Sequence, residues 1–180
     1  IGKFRGSLSN LSAVELGIRS VKELLNRCDI DPSSGIIDEV LFGQVLQAGA
    51  GQAPARQVAL GAGLPNTIAA TTINKVCGSS LKAVMMAANS IKAGEYKAII
   101  AGGMESMTNA PKFEKRNGDE KEMVSTMVHD GLWDVYNDVH MGNTGEIVAN
   151  ECNISREKMD AFAARSQNNA AQAEANGWFD

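Results

Sequence analysis

Thr67-Ile-Ala-Ala-Thr-Thr-Ile73, then Asn74-Lys-Val-Cys-Gly-Ser-Ser80, then Leu81-Lys-Ala-Val-Met-Met-Ala-Ala-Asn-Ser-Ile-Lys-Ala93 decide the fold of this chain. The first run is short, apolar and β-branched, which predicts a buried strand. In the third, Leu81, Val84, Met85, Ala88 and Ile91 recur at helical spacing. That predicts a helix to about Ala93 with those residues on one face. Gly94 stops it. A second strand is expected from Tyr96 to Ala101, capped by Gly102-Gly103. Cys77 therefore sits where a strand turns into a helix.

That position carries chemistry. The first N–H groups of a helix lack intrahelical partners, and the end is partly positive. A thiolate placed there is stabilised and becomes available as a nucleophile. Gly78, Ser79 and Ser80 leave room for a substrate to approach the backbone. Their N–H groups could stabilise a developing oxyanion. The competing reading is a buried, inert cysteine that packs as a small apolar residue.

Outward from this unit, the chain alternates strand and helix. Ile1-Gly-Lys-Phe4 reads as the tail of a strand whose beginning is missing. Ser12-Ala-Val-Glu15 has capping-box spacing. Leu11, Val14, Ile18, Val21 and Leu25 then predict a helix ending near Arg27, and Asp31-Pro-Ser-Ser-Gly35 a turn. A strand is expected from Glu39 to Leu46, and a helix from Pro54 to about Ala62. The alternation through residue 103 is that of an α/β layer with a mostly parallel sheet and helices on both faces. Ligands of such sheets gather at the carboxyl ends of the strands, where Cys77 lies.

After Met107 the texture changes. Lys112 to Glu122 is dense in both charge signs without periodicity and reads as a solvated surface loop. Met123 to Asn137 shows no clean strand pattern. Asn143 to Cys152 reads as a short helix. Ser155 is the expected N-cap of a longer one, Arg156 to about Ala175, with Met159, Phe162, Ala163, Ala170 and Ala173 inward.

The 180 residues suffice for one domain or slightly more. A net charge of −4 gives no reason to expect a nucleic-acid partner, and no apolar run is long enough for a bilayer-spanning helix. Cys28, Cys77 and Cys152 are far apart and lack metal-ligand spacing, so free thiols in a reducing compartment and no bound metal are expected. A cytoplasmic location follows, with an organelle lumen as the eukaryotic alternative.

Four blocks in series carry a family resemblance. They are Gly51-Gln-Ala-Pro-Ala-Arg-Gln57, Asn74-Lys-Val-Cys-Gly-Ser-Ser-Leu-Lys-Ala83, Gly102-Gly-Met-Glu-Ser-Met-Thr-Asn-Ala-Pro111 and His140-Met-Gly-Asn-Thr-Gly-Glu146. Together they cover nearly the whole chain, which resembles the thiolase family, of the acetyl-CoA acetyltransferase type. The resemblance implies a layered α/β fold, with a first core half over residues 1–106 and an inserted loop domain beginning over 107–180. It implies an acyltransferase that condenses two acetyl-CoA to acetoacetyl-CoA, or runs the reverse thiolysis, through an acyl thioester on Cys77. No cofactor is implied, coenzyme A being substrate and product.

By the same resemblance Leu132, His140 and Met141 line the CoA pocket, with Asp130-Gly-Leu-Trp133 as a substrate-facing stretch. Gly145 stands where the family more often has alanine. The family also has a histidine, a second cysteine and further oxyanion donors in a C-terminal half. Those motifs do not occur in this sequence, so the chain is expected to be incomplete as an enzyme and inactive alone. The missing half would lie in the same or a second polypeptide, and the intact protein would be a homodimer or homotetramer. His129 is taken as a surface residue. Competing readings are a non-catalytic acyl-CoA or lipid-binding protein, a Cys-His hydrolase using Cys77 and His140, and a ketoacyl-synthase type of condensing enzyme. The Gly-Gly-Met-Glu-Ser block argues against the last.

Overall fold

Val40 and Phe42 face one side of a strand and Leu41 the other, and this alternation builds a layer on each face. The computed structural model describes residues 2–179. Strand β1 (Glu39–Gly43) lies between β2 (Ala69–Ile73) and β3 (Ile99–Gly103), parallel to both, in the order β2-β1-β3. Helices α1 (Ala13–Arg27) and α2 (Pro54–Gly61) contribute to the cluster around Val40 and Phe42. Helix α3 (Ser79–Ala93) covers Leu41 from the other face with Ala83 and Ala87. The parallel α/β layer expected from the alternation is therefore present.

Helix α1 starts as its sequence predicts. Ser12 Oγ accepts the Glu15 N–H, and the Glu15 carboxylate accepts the Ser12 N–H at 2.7 Å. Val21 and Leu25 are buried, and Val14 and Ile18 pack at the edge of the cluster. Side chains of this size contribute about 1.5–3 kcal/mol each when fully buried, so this layer dominates the stability of the sheet. Gly17 and Gly61 let α1 pack closely, since a Cβ at Gly61 would lie 2.4 Å from Ile18 Cδ1.

Several expectations need correction. Strand β1 ends at Gly43 rather than Leu46, because the Val45 and Leu46 N–H groups turn to the Glu105 carboxylate instead of a neighbouring strand. Strand β3 begins at Ile99 and runs through Gly102 and Gly103, which pair with Phe42 and Gly43 instead of capping the strand. The Lys97 and Ala98 N–H groups before it are held by the Asp38 carboxylate. Residues 2 and 3 are irregular and Phe4 lies in a turn, so no strand tail occurs there; Ile1 is outside the described residues.

The largest departure is the face of α3. Leu81, Val84, Met85 and Ile91 are exposed, Leu81 by 67%. The buried stripe is Ser79, Ala83 and Ala87. Only small side chains allow the helix to lie this close to the sheet.

The charged stretch after Pro111 is a hairpin, not a loop. Strand β4 (Lys112–Asn117) pairs antiparallel with β5 (Glu120–Ser125). Gly118 adopts φ 64° as the first residue of a two-residue turn, the position such hairpins reserve for glycine. The strands are mostly exposed, as a charged surface element should be. Glu114 on β4 pairs with Arg116 at 2.8 Å and Lys121 at 3.7 Å. A single π-helical turn, Met127–Gly131, follows. His129 sits there half-buried, its Nδ1 2.8 Å from Asp130 Oδ1 and its ring edge-on to Phe113.

The chain divides into two compact units, the first ending at Gly131 and the second beginning at Leu132. The second holds a short antiparallel pair, β6 (Trp133–Asp134) and β7 (Val139–His140). Helices α4 (Met141–Glu151) and α5 (Arg156–Ala175) follow. Helix α4 starts two residues before the expected Asn143 because His140 serves as its N-cap. Ser155 caps α5 as expected. The inward face expected for α5 is not realised: Ala173 is buried and Met159 half-buried, but Phe162, Ala163 and Ala170 are exposed. Among the described residues, no helix is long and apolar enough to cross a membrane.

Candidate active site

Strand β2 ends at Ile73, and α3 begins at Ser79. The five residues between, Asn74 to Gly78, must bring the chain up from the sheet and into the first helical turn. Val76 does this in the left-handed region, at φ 47°. That conformation is rare for a β-branched residue and costs on the order of 1–3 kcal/mol, so its surroundings must hold it. Asn74 Oδ1 accepts the Val76 N–H at 3.0 Å. Ser79 Oγ accepts the Lys75 N–H at 2.8 Å and donates to the Val76 carbonyl at 2.6 Å. Ser79 is 4% exposed, whereas Cys77 is exposed at the apex of the bend.

The sheet supports the bend from below. A Cβ at Gly43 would lie 2.6 Å from Ser79 Cβ, and one at Gly103 would lie 2.1 Å from Ser80 Oγ. Two glycines on adjacent strands thus let the start of α3 seat against the strand ends. No side chain caps that start: the Gly78 and Ser79 N–H groups donate to the Lys75 and Val76 carbonyls at 3.0 and 3.1 Å, which leaves the Ser80 and Leu81 N–H groups of the first turn to face an incoming anion. An exposed thiol beside such donors can attack an acyl carbonyl and have the resulting oxyanion stabilised.

Leu132, His140 and Met141 come together in the second unit. The Met141 N–H donates to the Leu132 carbonyl at 2.8 Å, and Trp133 pairs with His140 across the β6–β7 ladder. Leu132 and His140 are half-buried, and Met141 is exposed. His140 Nδ1 accepts the Gly142 N–H at 3.0 Å, while the Trp133 ring stands edge-on to the imidazole. A neutral ring held in this way carries its proton on Nε2. In that tautomer His140 has Nε2–H free to donate.

A family model described as thiolase, N-terminal domain, matches residues 1–180. The chain belongs to the thiolase family. It is similar to an acetyl-CoA acetyltransferase of Cupriavidus necator, 52% identical over 100% of this chain and 47% of that protein. Acetyl-CoA acetyltransferase 2 of Arabidopsis thaliana is 48% identical, over 99% of this chain and 45% of its own length. A probable acetyl-CoA acyltransferase of Staphylococcus aureus is 45% identical, over 100% and 47%. The thiolase chain thus spans about half the length of the curated relatives it matches.

A concavity in the first unit, about 380 Å³, is lined by residues that include Ser12, Glu15, Gln44, Gln57, Glu105 and Asn109, and not by Cys77. Most of its polar groups already serve the fold. Glu15 caps α1, Glu105 holds the chain at Val45 and Leu46, and Asn109 donates to the Ser9 and Leu11 carbonyls. Gln44 Oε1 is buried there and finds no donor among the described residues.

Sequence reading singled out the Ser79 backbone but did not foresee the hydrogen bonds made by the Asn74, Ser79 and Glu105 side chains. Each lies within a block that carried the family resemblance. A signal for Asn74 was present, since Asn side chains commonly accept a backbone N–H two residues on. The hydroxyl contacts of Ser79 depend on the left-handed turn at Val76, which no local pattern announces.

Proposed function

We propose that this thiolase chain is the cysteine-bearing half of an acetyl-CoA acetyltransferase. The Cys77 thiolate attacks the thioester carbonyl of acetyl-CoA. The carbon–sulfur bond to CoA breaks, and CoA leaves as a thiolate that takes up a proton. The acetyl group now rests on Cys77 as a thioester. A second acetyl-CoA, having lost a proton from its methyl carbon, attacks that thioester, gives acetoacetyl-CoA and frees the thiol. Thiolysis runs the same steps in reverse.

The observation that carries this reading is the exposed Cys77 at the uncapped start of α3, at the carboxyl end of the sheet. The names of the relatives support the substrate. In the same reading Leu132, His140 and Met141 bind the pantetheine end of CoA, His140 by donating from Nε2. Residues 107–180 form the beginning of an inserted loop domain. The base that deprotonates the methyl carbon comes from sequence corresponding to the part of the relatives that this chain does not span, in the same or a second polypeptide. The intact protein is a homodimer or homotetramer, needs no cofactor, and works in the cytoplasm or an organelle lumen.

The test is acetyl transfer from acetyl-CoA to the protein, followed by peptide mass spectrometry. One acetyl group on Cys77, lost in Cys77→Ser, is expected. An unmodified Cys77, or acetylation spread evenly over all three thiols, would overturn the reading.

A further inference from the structure

We infer that Asn74 and Ser79 are positioning residues that aim the backbone N–H of Cys77 at the acyl carbonyl; this rests on the acyl-thioester reading above. Both peptide groups of Val76 are gripped by side chains. Asn74 Oδ1 takes its N–H at 3.0 Å, and Ser79 Oγ holds its carbonyl at 2.6 Å. Ser79 also receives the Lys75 N–H at 2.8 Å, so its hydroxyl has both a donor and an acceptor. A β-branched residue disfavours φ 47°, and the side chains reinforce a turn that backbone bonds also close, from the Gly78 N–H to the Lys75 carbonyl at 3.0 Å and from the Ser79 N–H to the Val76 carbonyl at 3.1 Å.

The grip has a directional consequence. In a trans peptide the carbonyl and the following N–H point in opposite directions. Fixing the Val76 carbonyl on the buried Ser79 turns the Cys77 N–H away from Ser79, and Cys77 itself is exposed. When Sγ adds to the carbonyl carbon, the π electrons move onto oxygen, and the charge forms beside that N–H. Collapse returns the electrons, expels CoA as a thiolate and leaves the acetyl thioester. If Val76 relaxed, the peptide plane would rotate and the donor would leave the developing charge, while the thiol would remain exposed.

Two reactions of one thiol separate aiming from mere access. Acetylation by acetyl-CoA passes through an oxyanion, whereas alkylation by iodoacetamide displaces iodide at a saturated carbon and forms none. Both rates are measured at Cys77, by mass spectrometry, on the full chain and on Ser79→Ala and Asn74→Ala. Loosening the aimed donor predicts acetylation slower in Ser79→Ala by about 10-fold, short of the roughly 100-fold that outright loss of an oxyanion donor costs, with alkylation within about threefold of the parent. Asn74→Ala is expected to slow acetylation selectively and by less.

Parental acetylation rates in both variants would overturn the positioning roles and leave the thioester reading standing. Equal slowing of both reactions would also overturn them, since access alone would then be lost. A parent chain alkylated at Cys77 but never acetylated there would overturn the reading and the inference together. Should circular dichroism show Ser79→Ala unfolded, Asn74→Ala, altered at an exposed side chain, decides by the same ratio of rates.

Discussion

Glu105 Oε2 accepts the Val45 N–H at 2.8 Å across 60 residues of sequence, and the carboxylate reaches the Leu46 N–H at 3.3 Å as well. The bonds tie the loop after β3 to the loop after β1, on the side of the sheet where Cys77 emerges. They take over where the β1 ladder stops. Glu105→Ala would leave two backbone donors without their acceptor, and each such loss costs about 1–3 kcal/mol. Urea unfolding should show the variant about 2 kcal/mol less stable, with Glu105→Gln nearer the parent because one acceptor remains. Equal stability of Glu105→Ala and the parent would mean that water satisfies these donors.

Sequence pattern carries the sheet better than the bends between its elements. Alternation of Val40, Leu41 and Phe42 was readable because side chains on a strand change face at every residue. The capping box at Ser12 was readable because its partners are three residues apart. The placement of Cys77 followed from the strand-to-helix turn. Glu105 and Ser79 were not legible, because a carboxylate bound to backbone 60 residues away, or a hydroxyl seated under a left-handed turn, has no local period. The hairpin at 112–125 was overlooked although Gly118-Asp119 is a two-residue turn signal, since its exposed charges hide the pairing.

Gly43 should tolerate no side chain. Its added Cβ would meet Ser79 Cβ at 2.6 Å and the backbone of Ser79 and Ser80 at 2.8 Å. Backbone cannot swing aside as a flexible side chain can. Gly43→Ala must therefore lift the start of α3, at a cost of about 1–3 kcal/mol by analogy with overpacked cores. The same displacement moves Ser79 away from Val76. Thermal unfolding should shift downward, and acetylation of Cys77 should slow in the fraction still folded. Unchanged melting would show that the helix seats with more freedom than these distances allow.

Asp38 gives the fold an acid-sensitive clasp. Its carboxylate accepts the Ala98 N–H at 2.9 Å and the Lys97 N–H at 2.7 Å, which tie the start of β1 to the residues before β3. The Ala98 bond first, then the Lys97 bond, hold the Asp38 carboxyl below the usual carboxylate range. A group depressed in the folded state stabilises fully above its unfolded value, and that contribution fades as pH falls through the folded value. Asp38→Asn should therefore be less stable than the parent near neutrality, and the gap should narrow in acid below the ordinary aspartate range. Urea midpoints measured against pH for both proteins test this. A gap that stays constant down to strong acid would remove the clasp.

Helix α3 offers the sharpest contrast between hydrophobic pattern and packing. Its larger apolar residues, Leu81, Val84 and Met85, are exposed, while Ala83 at 0% and Ala87 at 6% face the sheet. A core residue chosen by size alone would be misassigned, because the distance from helix to sheet here fits a methyl group. Leu81→Ala should change stability by no more than about 0.5 kcal/mol, as surface substitutions usually do. Ala83→Leu adds three carbons against Leu41 and its neighbours and should cost about 1–3 kcal/mol. Paired urea unfolding of the two variants distinguishes the faces. If Leu81→Ala proved the more damaging in the isolated chain, the larger residues would be the ones packed, and the seating of Cys77 above Ser79 would have to be redrawn.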